Sequence, residues 1–89
     1  MPRKPPLKVL VVAREERVQG LLQDLLEPAG YLVSLARDEG EARFMIDQEI
    51  SQNRGYDLVV AEHPAPFVRG LKLVRWAKRT HPYLKVILI

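Results

Sequence analysis

Lys8-Val9-Leu10-Val11-Val12-Ala13 is an unbroken apolar run, mostly β-branched, with no alternation of polar residues. A strand that faces solvent on one side alternates in polarity. A strand covered on both sides does not, and such strands belong to parallel sheets with helices on both faces. The residues around this run repeat the theme. Glu15 and Glu16 follow it, suited to the electropositive start of a helix. Val18, Leu21, Leu22, Leu25 and Leu26 then recur at helical spacing as one apolar stripe, and Pro28 and Gly30 end it. Tyr31–Ala36 reads as a second strand, more mixed in polarity and therefore nearer a sheet edge.

Asp38 is placed to cap a second helix, with Glu41 three residues on, and Ala42, Met45, Ile46 and Ile50 would turn to the core. After the turn-rich stretch 51–55, Asp57-Leu58-Val59-Val60-Ala61 forms a third apolar strand. The loop Glu62-His63-Pro64-Ala65-Pro66 leads to a third helix from about Val68 to Thr80, with Leu71, Val74 and Ala77 inward. Pro82 ends it, and Lys85-Val86-Ile87-Leu88-Ile89 is a fourth strand. The order β-α-β-α-β-α-β implies a parallel sheet with crossover helices.

The 89 residues suit one domain or part of one. Residues 1–6 form a basic, Pro-rich leader, expected to be extended and mobile, ahead of a domain over 7–89. The chain has no cysteine, which rules out disulfides, thiolate nucleophiles and cysteine-bound zinc. It has no membrane-length apolar run and no signal-peptide pattern, so the expected location is cytoplasmic. The net charge of +3 is mild.

The sequence resembles the receiver domain of two-component response regulators. The resemblance rests on Val9–Val12 with Glu15, on Gly30-Tyr31, on Ala36-Arg37-Asp38 with Glu41-Ala42, and on Asp57–Glu62 with Pro66 and Gly70-Leu71. It implies a flavodoxin-like, doubly wound sheet with strand order 2-1-3-4 for the strands present, truncated before the family's fifth strand, and a site at the carboxyl ends of the strands. It also implies what that site lacks. The family's two metal-binding acids fall on Ala13 and Arg14, and its phosphoacceptor aspartate on Glu62, one methylene longer. Mg²⁺ requires oxygen ligands, which neither a methyl group nor a guanidinium provides. The chain ends before the family's later hydroxyl and lysine positions. The expectation is a pseudo-receiver with no enzymatic activity, no metal and no cofactor.

Glu15 is the one acid left of the metal cluster and reads as a helix-dipole residue. An ion pair between Glu62 and Arg14, imitating a phosphorylated state, is weighed against Glu62 as a tolerated polar strand end. His63 reads as a plain loop residue and His81 as a cap on the third helix. Trp76 falls off the Leu71/Val74/Ala77 line, which places it either at a lateral contact or at the rim of the core. Val86, Ile87, Leu88 and Ile89, with no charge or proline among them, form an unprotected edge beside an uncovered sheet face. The resulting reading is a phosphorylation-independent protein–protein module that self-associates or docks on a partner. Two alternatives stay open. One is a receiver with residual phosphoacceptor activity. The other is a nucleic-acid-binding module using Arg69, Lys72, Arg75, Lys78 and Arg79 on the third helix.

Overall fold

A computed structural model describes residues 6–63 and 70–89. The elements run β1 (Lys8–Val12), α1 (Glu16–Leu26), β2 (Leu32–Ala36), α2 (Glu39–Ser51), β3 (Leu58–Ala61), α3 (Gly70–Thr80) and β4 (Val86–Leu88). The four strands are parallel in the order β2-β1-β3-β4, which bears out the flavodoxin-like, receiver-like topology. The leader assigned to residues 1–6 lies outside the described residues except for Pro6.

β1 sits between β2 and β3 and is buried on both faces, as its unbroken apolar sequence requires. Its side chains alternate between two layers. Leu10 and Val12 join Ala36, Val59 and Ala61 under Ala42 and Ile46 of α2 and Leu73, Trp76 and Ala77 of α3. Val9, Val11 and Ala13 join Val60 on the opposite face, under Val18, Leu22 and Leu26 of α1. Two helices therefore cover one face and one helix covers the other.

The helix ends follow the local chemistry. Asp38 Oδ1 accepts the Glu41 amide at 2.8 Å, the N-cap anticipated for α2. At the other end Asn53 adopts φ 57°, and the Asn53 and Arg54 amides donate to the Ile50 and Glu49 carbonyls. That pattern is a Schellman cap, with asparagine supplying the left-handed residue. Gly30, at φ 98°, plays the corresponding part in the turn after α1.

Three helix faces differ from expectation. On α1 the buried line is Val18, Leu22 and Leu26, while Leu21 and Leu25 are exposed and Gln19 is buried. On α3 the inner face is Gly70, Leu73, Trp76 and Ala77, and Leu71 is exposed. On α2 Ala42 and Ile46 are buried and Met45 packs against them, but Ile50 is exposed near the helix end. On α1 and α2 the sheet meets a narrower strip than the apolar pattern offered, and on α3 it meets a different line.

A polar cluster fixes the α2 C-terminus to the start of β1. The Lys8 ammonium bonds Glu49 and lies 5.1 Å from the Tyr56 ring centroid. Arg54 adds a second cation at 3.5 Å from Glu49, and the Lys8 amide donates to Asp57 at 2.7 Å. The Lys8 hydrogen bond, aided by the charges of Lys8 and Arg54 and opposed by burial, holds the Glu49 carboxyl below its usual range. A carboxyl with a lowered folded pKa adds stability above its unfolded pKa and loses it as pH falls through the folded value. Urea midpoints of wild type and Glu49→Gln should therefore differ in favour of wild type at neutral pH, and the gap should close as pH falls through the lowered Glu49 pKa. A pH-independent gap would contradict this assignment. Leu10→Ala, at a fully buried site, should cost about 2–5 kcal/mol in the same assay.

Candidate functional site

The carboxyl ends of β1 and β3 adjoin, because Val12 is in register with Ala61 and the Glu62 amide donates to the Val12 carbonyl at 3.1 Å. The residues that leave these two strands therefore meet at one end of the sheet. Ala13 is fully buried there, its amide bonded to the Ala36 carbonyl at 2.9 Å. Its own carbonyl accepts from Gln19 Nε2 at 2.6 Å, a buried side chain reaching back from the first turns of α1. Arg14 and Glu15 are exposed on the turn that follows. Glu15 is the N-cap residue of α1, and its side chain makes no capping hydrogen bond.

Glu62 and His63 are partly buried at the end of β3. The His63 amide donates to the Ile89 carbonyl at 2.8 Å, extending the ladder beyond β4. His63 Nδ1 is buried and makes no hydrogen bond among the described residues. The strand ends thus bring Ala13, Arg14 and Glu62 to one end of the sheet, as the sequence anticipated. Among the described residues no three acidic or histidine side chains converge in a way that could hold a metal ion.

Gly70 closes this end from above. A Cβ there would lie 2.8 Å from the Glu62 carbonyl oxygen, 2.7 Å from Leu88 Cδ2 and 3.0 Å from His63 Cβ. The first turn of α3 can rest on the β3 terminus only because residue 70 has no side chain. Pro64, Pro66 and Arg69 lie outside the described residues.

Two site residues are placed differently from expectation. Trp76 is 8% exposed, packed in the core with the Arg43 guanidinium 5.2 Å from its ring centroid, so it is not a surface contact. His81 does more than cap. Its Nε2 pairs with Asp47 Oδ1 of α2 at 2.8 Å, its ring meets Trp76 edge-on at 5.3 Å, and its amide bonds the Ala77 carbonyl. Lys72, Arg75, Lys78 and Arg79 are exposed along α3. In β4, Val86 and Leu88 pack against the α2/α3 layer, while Ile87 and Ile89 stand 50% and 52% exposed on the α1 side of the sheet. The uncovered face is therefore confined to alternate residues of the edge strand. A separate apolar groove of about 460 Å³ lies at the amino ends of the strands, lined among others by Ile46, Ile50, Tyr56 and Tyr83.

Gln19 and Gly70 were not singled out as structural residues by the sequence. A glutamine inside an apolar stripe and a glycine at a helix start were the available signals.

Alternating parallel strands in this order, with a carboxyl-end crevice between β1 and β3, define a receiver-like domain of the flavodoxin-like fold. Comparison with solved structures gives the same class. The signal receiver domain of an HD domain-containing protein from Pseudomonas fluorescens Pf-5 superposes with a TM-score of 0.77 at 26% identity, over 99% of this chain and 61% of that one. The response regulator TrrA from Thermotoga maritima, in complex with Mg²⁺ and beryllofluoride, gives 0.76 at 27% identity, over 92% of this chain and 67% of that one. The chain thus spans about three fifths to two thirds of these neighbours' lengths. No family model matches the sequence, and no curated protein matches it.

Gly70→Ala should lose about 1–3 kcal/mol of stability, since the Glu62 backbone oxygen cannot swing aside as a side chain would. Its amide shifts should concentrate at Glu62, His63 and Leu88. A neutral substitution with an unshifted spectrum would show that α3 does not seat on this strand end.

Proposed function

We propose that this chain is a pseudo-receiver of signal transduction, a cytoplasmic protein–protein interaction module that works without phosphorylation and catalyses nothing itself. The observation that carries the reading is the edge strand β4, with Ile87 and Ile89 half-exposed on the sheet face covered, among the described residues, by α1. An apolar edge with free backbone groups on one side is a template for another strand, and burying its side chains supplies the driving force. A polypeptide that adds a strand beside β4 would cover both.

The strand-end residues support the other half of the proposal. Glu62 stands at the phosphoacceptor position that the family resemblance implies, and the TrrA structure carries Mg²⁺ with beryllofluoride. In this chain the implied metal positions are a buried methyl group at Ala13 and an arginine at position 14. The carbonyl nearest them is committed to Gln19. Phosphoryl transfer relies on a metal to neutralise the moving charge, and these side chains give that metal no ligand.

A second copy of the chain can supply the polypeptide that adds a strand beside β4. Light scattering over a concentration series should show a folded dimer or larger species. Ile87→Lys with Ile89→Lys should give a folded monomer by the same measurement. A wild-type chain that stays monomeric and folded at every concentration, with β4 amides exchanging freely, would count against strand pairing.

A further inference from the structure

We propose that the outer face of α3 is a binding surface for the phosphate backbone of duplex nucleic acid. Among the described residues, a shallow groove on this face is lined by Lys72, Arg75, Lys78 and Arg79. All four are exposed, and the helix carries no acidic residue from Gly70 to Thr80. The first and last of these cations are about 10 Å apart along the axis at 1.5 Å per residue. Along one strand of duplex DNA phosphates recur about every 3.4 Å of axis, so three or four phosphates come within reach of such a row. One cation has an internal partner. Lys72 lies 3.8 Å from Glu39, but its side chain is 60% exposed, and solvent and salt screen such a pair strongly.

The lining of the groove selects among anionic partners. A protein interface builds its affinity around apolar and aromatic anchors, and single-stranded nucleic acid is held by bases stacked on aromatic rings. Among the described residues this groove offers neither. The nearest aromatic residue of the helix, Trp76, is turned into the core and held there by Arg43 and His81. Cations alone, two of them arginines, recognise phosphate oxygens without reading bases. Binding should therefore be indifferent to sequence and strongly dependent on salt. α3 lies on the sheet face opposite α1, whereas Ile87 and Ile89 are on the α1 side, so this surface does not compete with the one assigned to polypeptide. The inference does not rest on the pseudo-receiver reading.

Fluorescence anisotropy with the whole chain and a labelled mixed-sequence duplex tests it. The expected result is binding at about 50 mM salt that weakens about 40- to 150-fold by 200 mM, the slope for three to four released counterions. The triple variant Arg75→Gln, Lys78→Gln, Arg79→Gln should bind at least tenfold more weakly, with an unchanged circular dichroism spectrum. The charge-preserving Arg75→Lys, Lys78→Arg, Arg79→Lys should retain binding. Three outcomes would each overturn the proposal. They are no binding at 50 mM salt, equal binding by the neutralised variant, and displacement of the duplex by polyglutamate at matched charge as readily as by unlabelled duplex. The last would assign the groove to an acidic protein.

Discussion

The burial of β1 on both faces is the constraint on which the rest of the structure depends. Val9, Leu10, Val11, Val12 and Ala13 are at most 1% exposed, so every side chain of the strand must find a partner above or below the sheet. Helices on both faces meet that demand, and parallel neighbours on both sides meet the hydrogen-bonding demand of the backbone. Coverage is nevertheless unequal. The α2/α3 layer reaches all the way to Val86 and Leu88, whereas α1 packs on β1 and β2 and leaves Ile87 and Ile89 half in solvent. Among the described residues, β4 is therefore covered on the α2/α3 side and half-exposed on the other.

The same geometry ties several groups at the strand ends into the fold. Placing Ala13 at the end of the buried strand leaves its carbonyl in need of a donor, and an unpaired buried carbonyl costs free energy. Gln19 meets that need from within the chain. Gly70 brings α3 down onto Glu62 and His63, and the ladder continues through Ile89. The crevice between β1 and β3 is present by topology, and Gln19 and Gly70 hold its two sides to the neighbouring helices.

The architecture was legible in the sequence because each signal was local. The unbroken run at β1, Asp38 before Glu41, Pro28 with Gly30, and the mixed polarity of β2 each report a nearest-neighbour requirement, and the structure meets all of them. The helix faces were less legible, because apolar residues lay on more than one possible line. α3 could turn in Leu71, Val74 and Ala77 or Gly70, Leu73, Trp76 and Ala77, and the choice is made by the close seat of Gly70 on β3, a long-range contact. On α1 the surplus leucines Leu21 and Leu25 belong to no buried line, and the buried polar residue Gln19 answers to a carbonyl six positions earlier. His81 illustrates the same limit. Its neighbours in sequence suggested a cap, and its partner Asp47 comes from another helix.

We propose a receiver-like fold whose strand ends do not take up metal and phosphoryl group. Amide spectra of the whole chain, titrated with Mg²⁺ and beryllofluoride, test it most directly at Ala13, Arg14, Glu62 and His63. The account predicts no saturable shift at any of the four. A saturable shift centred on Glu62 that requires both Mg²⁺ and beryllofluoride would contradict it, and would restore the chain to the phosphoaccepting receivers.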